Sequence, residues 1–356
     1  MHSEEGSDAC LFRKIGLIMN PDKAEAVQMA RAAESFFASN GIMISRLQNA
    51  DTDPQDTDLI LTFGGDGTFL IGARIAMEHD IPLMGINLGT MGFLTEEEPE
   101  HLTKCLQAIL KHEYNIEERF LLEVKIPSTG EKFYALNDAV ITRGGFARLI
   151  QVECTVNGER YGTFTADGMI AATPTGSTGY SLSAGGPIVQ PDMNCIVLTP
   201  VGAHSLQTCP CIVSGQSEIR FRLDPGRNPT AELQIDGMDR GKLEAGDEVI
   251  ITGSSRTIRL LRIHPFHFFI LLRSKLIEWG SKYGTGRRSG ENDQTGKNPG
   301  DYRKRRDRNP GRTCEQTSGT RVQGHAGNCF ERYQGAAADQ DLRAKEYVLL
   351  CPSRQA

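Results

Sequence analysis

The stretch that most constrains this chain lies at residues 58–79. A continuously apolar run, DLILTF at 58–63, is closed by Gly64-Gly65-Asp66-Gly67-Thr68, and a helical pattern follows to about His79. An apolar run without alternation is the signature of a strand covered on both faces, as in a parallel sheet. The glycines let the backbone approach a ligand closely. The turn amides and the start of the helix favour an anion such as phosphate. Asp66 is the odd member, because a carboxylate facing phosphates is repulsive unless it binds a metal ion or takes a proton from an attacking hydroxyl. Taken alone, the turn also admits the reading of a tight strand-to-helix connection with Asp66 as the helix N-cap. It matches neither the P-loop nor the G-x-G-x-x-G dinucleotide pattern.

Around this turn the first part of the chain alternates strand and helix. Strands are expected at 14–19, 42–45, 58–63 and 82–87, with helices over 23–40 and from the Gly-rich turn to about 79. Ala26, Ala30, Ala33 and Phe37 fall on one helical face, and Asn40-Gly41 is a stop signal. This predicts an α/β N-terminal domain, a parallel sheet with flanking helices. After a helix near 98–112 the pattern changes to short strands separated by turn residues. These strands are 117–126, 132–143, 148–156, 159–165, 168–173, 195–199, 211–213, 217–223, 231–235, 248–252 and 256–263. They predict an all-β, sandwich-like C-terminal domain. The expected divisions are 12–97 for the α/β domain, 98–265 for the β-rich domain, 266–280 for a segment packing back on the first, and 281–356 for a tail.

Composition excludes several classes. With 39% hydrophobic and 24% charged residues the chain is neither collagen-like nor wholly disordered. No apolar run is long enough to span a bilayer. The acidic start, MHSEEGSDAC, lacks the apolar core of a secretory signal. The nine cysteines lack C-x-x-C spacing and are read as thiols of a cytoplasmic protein. No membrane partner and no structural metal site are expected.

The strings GGDGTFL at 64–70, INLGTMGFL at 86–94, ALNDAVITRG at 135–144, TADGMIAATPTGSTGYSLSAGGPIVQP at 165–191, TPVGAHSL at 199–206 and LQIDG at 233–237 follow one another in order. Together with HPF and LRSKLIEWG before residue 281, they resemble the NAD kinases over roughly residues 12–280. The resemblance implies transfer of the γ-phosphoryl of ATP to the 2′-hydroxyl of the adenosine ribose of NAD, making NADP. It implies Asp66 as proton acceptor, and a turn, Gly64, Gly65, Gly67 and Thr68, facing the ATP phosphates. NAD contacts are implied at Asn137, Asp138, Arg148 and Asp167, and nucleotide contacts at Thr175, Thr178, Gly179, Tyr180 and Ser183. Mg²⁺ or another divalent cation would arrive with ATP, with no protein ligand assigned. A homo-oligomer, dimer or tetramer, is implied as well. NAD or NADH, and ATP or polyphosphate, stay open. Alternatives are a lipid kinase sharing the G-G-D-G turn and an inactive NAD-binding module. This chain departs from the family's usual residues at Gly179 (Ala), at Gly202-Ala203 and at Met238 (Gln).

Residues 281–356 carry 15 Lys and Arg against 9 Asp and Glu, a net charge of +6, whereas residues 1–280 carry −12. A run such as RKRRDR at 303–308 invites a nucleic-acid reading. Back-translation offers another. Asn328 to Gln334 can be written AAC TGT TTC GAG AGA TAT CAA, which one base out of frame gives T-V-S-R-D-I. The neighbouring residues permit further strings that resemble the N-terminal domain of arginine repressors. The tail is therefore expected to be a frameshifted read of such a gene, disordered, with no nucleic-acid partner.

Overall fold

The computed structural model describes residues 12–49, 52–88, 92–95, 101–145, 148–203, 209–224 and 230–283. It divides into two units, Met1–Leu272 and Arg273–Ala356. The first holds both sheets and every residue of the candidate site. The second contributes, among described residues, the continuation of a helix to Tyr283. Of the tail expected to be disordered from residue 281, residues 281–283 are instead the end of this helix, and the remainder lies outside the described residues.

The chain opens with β1 (Lys14–Met19), α1 (Ala24–Ser39), β2 (Met43–Arg46), β3 (Leu59–Gly64), α2 (Asp66–His79) and β4 (Leu83–Asn87). These four strands are parallel and lie in the order β2-β1-β3-β4. Alternate residues of β3 explain its unbroken apolarity. Leu59, Leu61 and Phe63 pack with Ala26, Ala30, Ala33 and Phe37 of α1, while Ile60 packs on the opposite face with Phe69, Ala73 and Ala76 of α2. Small alanines on α1 bring the helix close to the sheet, and Phe37 fills the space beyond them; all four are buried. The helix α3 (Leu102–Leu110) adds Leu106 and Ile109 to the α1 side.

The β-rich part follows: β5 (Asn115–Ile126), β6 (Glu131–Ala135), β7 (Asp138–Thr142), β8 (Ile150–Val156), β9 (Glu159–Ala166), β10 (Gly168–Ala172), the short α4 (Tyr180–Ser183), β11 (Cys195–Val201), β12 (Cys211–Ser214), β13 (Ile219–Leu223), β14 (Thr230–Ile235), β15 (Met238–Glu244) and β16 (Glu248–Arg262). The helix α5 (Phe268–Tyr283) closes the described chain. One antiparallel sheet runs β12-β11-β10-β7-β14-β15. The other strands extend the parallel sheet, because β16 pairs in parallel with β4 at Leu260 and Leu83 and antiparallel with β5 and β13. The core between the sheets joins Leu122, Val124 and Phe221 to Ile141, Met169 and Leu233. An α/β domain with a parallel sheet, followed by an antiparallel β domain, is the fold the sequence predicts. Among the described residues no helix is long and apolar enough to cross a membrane.

Three strand readings change. The single strand expected over 132–143 is two, β6 and β7, in different sheets. The chain crosses between sheets at Leu136-Asn137, where ladder partners are replaced by a side chain described below. The strands expected at 248–252 and 256–263 are one 15-residue strand, β16, whose register shifts between Gly253 and Thr257. A glycine and two serines read as a gap, but they accommodate an irregularity inside a continuous strand. Finally, β15 was not expected. Its sequence, MDRGKLE, is largely exposed and charged, and it forms because it pairs with β14 across the Asp236-Gly237 turn.

Candidate active site

Asp66 is the first residue of α2, after an extended Gly65 (φ −98°, ψ −169°). Its carboxylate is held from the following strand connection. Phe93 N–H donates to Oδ2 at 3.2 Å and Leu94 N–H to Oδ1 at 3.4 Å. Gly92 lies directly beneath. A Cβ there would stand 2.6 Å from Asp66 Cγ and 2.8 Å from Oδ2, so only glycine leaves room for the carboxylate in this position. The N-cap position of α2 is thus occupied by Gly65, and Asp66 is the first helical residue instead of the cap. Gly64 ends β3, where Leu88 N–H donates to its carbonyl at 3.0 Å, and a Cβ on it would stand 2.7 Å from Cβ of buried Thr68. Gly65 and Gly67 have open space where a Cβ would stand. The turn therefore presents bare backbone at a helix N-terminus, the arrangement that accepts an anion.

A second group of predicted residues meets at the sheet crossing. Asp236, on the β14–β15 turn with φ +50°, accepts three consecutive amides: Leu136 N–H at 2.9 Å, Asn137 N–H at 2.7 Å and Asp138 N–H at 3.1 Å. It returns its own N–H to Asp138 O at 3.0 Å. Asn137 O accepts Thr173 N–H at 2.8 Å, and Thr173 Oγ1 donates to Leu136 O at 2.5 Å and accepts Gly176 N–H at 3.0 Å. A Cβ on Gly176 would stand 2.5 Å from Asn137 C and 2.7 Å from its Cα, so two backbones touch here. The Asn137-Asp138 pair and the T-P-T-G segment are thereby fixed against each other. Asp138 is 5% exposed. Burial, with the Asp236 carboxylate beside it, pushes its carboxyl up to about 8. Burial also raises Asp236, though its three amide donors favour the charged form. With its carboxyl pushed up to about 8, Asp138 is largely protonated at neutral pH and can donate a hydrogen bond.

The remaining predicted residues spread along β10, the loop after it and the strands beside it. Asp167 pairs with Arg143 (Nε–Oδ1 2.5 Å) and is partly exposed. Thr175 is buried, and Thr178 Oγ1 donates to its carbonyl at 3.1 Å. Ser177 locks the loop by accepting Val189 N–H at 2.9 Å while its hydroxyl faces Pro174 O. A Cβ on Gly179 would lie 3.3 Å from Gly176 O, so the family's usual alanine fits here with only slight movement. Tyr180 packs, half-buried, on Val140, Ile170 and Ala172. Ser183 and Arg148 are exposed. Sequence reasoning missed Asp236, Gly92 and Gly176 as site residues, although each stood inside a motif already singled out. The pair Asp236-Gly237 reads locally as a hairpin turn, which it also is.

Below the Thr175 loop lies a buried charge cluster with no motif of its own. Arg119 is 1% exposed and makes an ion pair with Glu117 (2.7 Å); the other Glu117 oxygen takes Arg262 Nε at 2.7 Å.

Comparison with known proteins defines what this site belongs to. A strand–Gly-rich turn–helix with an oriented carboxylate is equipment suited to phosphoryl transfer. Residues 45–114 match the ATP-NAD kinase N-terminal domain and residues 136–263 the ATP-NAD kinase C-terminal domain. An NAD kinase of Heliobacterium modesticaldum is 37% identical over 277 residues, covering 74% of this chain and 98% of that protein. One of Geobacter sp. strain M21 is 41% identical over 230 residues, covering 64% and 80%. Among solved structures, a yeast NADH kinase in complex with NADH superimposes with a TM-score of 0.68 at 24% identity, over 76% of this chain and 88% of that one. An NAD kinase from Archaeoglobus fulgidus in complex with ATP gives 0.61 at 24%, over 74% and 98%, which again shows the shared fold. The chain belongs to the NAD kinase family. Its activity is that of an ATP-dependent NAD kinase, and the lipid-kinase and inactive-module alternatives fall away.

Proposed function

We propose that Asp66 is the proton acceptor for the ribose 2′-hydroxyl of NAD during attack on the γ-phosphoryl of ATP. The observation that carries this is the double grip of Phe93 and Leu94 amides on the Asp66 carboxylate, with Gly92 vacated beneath it. Phosphoryl transfer depends mainly on positioning and charge neutralisation, so one well-aimed base suffices. The backbone of Gly64, Gly65, Gly67 and Thr68 receives the phosphates. Asn137, Asp138, Arg148 and Asp167 hold NAD, with Thr175, Thr178, Gly179, Tyr180 and Ser183 shaping the nucleotide loop. Protonated Asp138 serves as a donor rather than a charge. The test is NADP formation from NAD and Mg-ATP. Asp66→Ala is expected to lose about 10²–10⁴-fold in kcat while NAD binding by calorimetry is retained. Near-normal turnover would refute the assignment.

The divalent cation travels with the triphosphate and needs no protein cage. Among the described residues no group of three or more His, Cys, Asp or Glu is placed to hold a metal ion. Turnover abolished by EDTA and restored by Mg²⁺, with no bound metal in dialysed protein, is the expected result. The enzyme works in the cytoplasm as a homo-oligomer, a dimer or tetramer, and binds no nucleic acid. The basic tail is a frameshifted read of an arginine repressor gene. In support, the Heliobacterium relative is matched over 98% of its length by 74% of this chain. An overlapping, intact repressor frame in the genomic DNA is expected, and its absence would sink the reading.

A further inference from the structure

The Arg119–Glu117–Arg262 cluster connects the two halves of the site. Glu117 and Arg119 project from one face of β5, two residues apart, and Arg262 ends β16, the neighbouring strand. One carboxylate thus serves two guanidiniums, one on each oxygen. Both guanidiniums also lie 4.8 Å from the ring centre of Phe266, which Pro265 precedes in the H-P-F string. Each then reaches outward. Arg119 Nη1 donates to Thr175 Oγ1 at 3.4 Å, and Arg262 Nη1 to Leu94 O at 3.5 Å. Leu94 is one of the two residues whose amides hold Asp66. A continuous polar path therefore runs from Thr175 through Arg119, Glu117 and Arg262 to Leu94 and Asp66. Burying two cations on one anion is a poor way to gain stability, since desolvation offsets the attraction. A hydrophobic pair would fill the same space, but it would hold neither Thr175 nor the Leu94 carbonyl. Burial works against the charge of Glu117, yet the two guanidiniums hold its carboxyl below the usual range.

We propose that Arg119, Glu117 and Arg262 are positioning residues that set the Asp66 carboxylate and the nucleotide loop in register, so that a change at one end is felt in turnover at the other. The proposal rests on the reading of Asp66 as proton acceptor.

The experiment is a double-mutant cycle on the full chain with Arg262→Lys, Thr175→Val and both together. Arg262→Lys keeps the buried charge but removes the fork that joins Glu117 to Leu94. Arg262→Lys is expected to lose about tenfold in kcat with KM for NAD and for ATP within about twofold, and Thr175→Val, at a nucleotide-loop residue, to lower kcat by a similar factor whatever its effect on KM. In the double variant the losses are expected to fall short of the product of the single ones by about fivefold or more, while the melting-temperature shifts add. Independent, multiplicative losses in kcat overturn the proposal, as does an unchanged kcat accompanied by a lowered melting temperature. Should Arg262→Lys fail to fold, Phe266→Leu, which removes only the ring shared by the guanidiniums, enters the same cycle with the same criteria. Asp66→Ala run in parallel separates the two readings. Normal turnover there fails the base assignment, whereas multiplicative losses with an inactive Asp66→Ala fail the coupling alone.

Discussion

Gly92→Ala isolates the position of the Asp66 carboxylate from its presence. The added methyl would meet Asp66 Cγ at 2.6 Å and Oδ2 at 2.8 Å, and the other oxygen more closely still. Ordinary contact begins at 3.4 Å. The carboxyl carbon must therefore retreat by at least about 0.8 Å, and with it the hydrogen bonds from Phe93 and Leu94 N–H, already 3.2 and 3.4 Å long, are lost. A misplacement of about 1 Å in a positioned catalytic group costs on the order of 10²-fold in rate. The clash is with the Asp66 side chain alone and not with any backbone atom. Alanine in place of glycine also restricts the unfolded chain, a gain of about 0.4–1 kcal/mol where the conformation permits it. Gly92→Ala is accordingly expected to lower kcat about 100-fold with a melting temperature within a few degrees of the parent. Its effect should vanish in an Asp66→Ala background, where the methyl meets no carboxylate. Steady-state NADP formation and a thermal melt read both quantities. A Gly92→Ala enzyme with near-parental kcat would show that the carboxylate position seen here is not the one used in turnover.

Other consequences are equally direct. Asp138 holds its proton more tightly folded (about 8) than at the ordinary value of 3.8, so the folded state binds the extra proton between these limits. Its contribution to stability is full below about pH 4 and is lost as pH rises through about 8; Asp138→Asn should flatten the fall in melting temperature from pH 5 to 9, and parallel curves would contradict the assignment. Asp236→Ala strips an acceptor from three amides, each left unsatisfied at about 1–3 kcal/mol, for a loss of at least about 3 kcal/mol. Asp236→Asn keeps one acceptor oxygen and should lose roughly half as much, compared by urea midpoints. Gly176→Ala drives a methyl into the Asn137 backbone rather than a movable side chain, so it should lower both stability and turnover, by melt and by assay. A chain ending at Tyr283 should match the full chain in kcat, and a large loss would give the tail a role.

Much of this was legible because the informative residues are local. The β3–Gly-turn–α2 unit is written in consecutive residues, and alternate packing of Leu59, Leu61 and Phe63 against one helix and Ile60 against another accounts for its apolar run. What escaped was long-range. Asp236 is 100 residues from Leu136, whose amide it accepts, and nothing in I-D-G alone says which amides it will find. Arg119 and Arg262 are charged residues in strand-like sequence, where the ordinary expectation is a solvated face. Their burial follows only once β5 and β16 pair and Phe266 covers them. The break inside 132–143 has the same origin, since Leu136-Asn137 leaves one sheet because a side chain from a distant turn replaces its ladder partners.

The single strand β16 carries an implication for motion. It pairs with β4 at one end and with β13 at the other, and with β5 along nearly its whole length. The α/β part and the β-rich part are thus sewn along a shared ribbon instead of being joined by a bendable linker. Hinge closure of the kind that engulfs substrate between two lobes would have to break that ribbon's ladder. The hydrogen bonds of β16 to β5 and β13, and its contact with β4 at Leu83, thus tie the two parts through one element of the backbone.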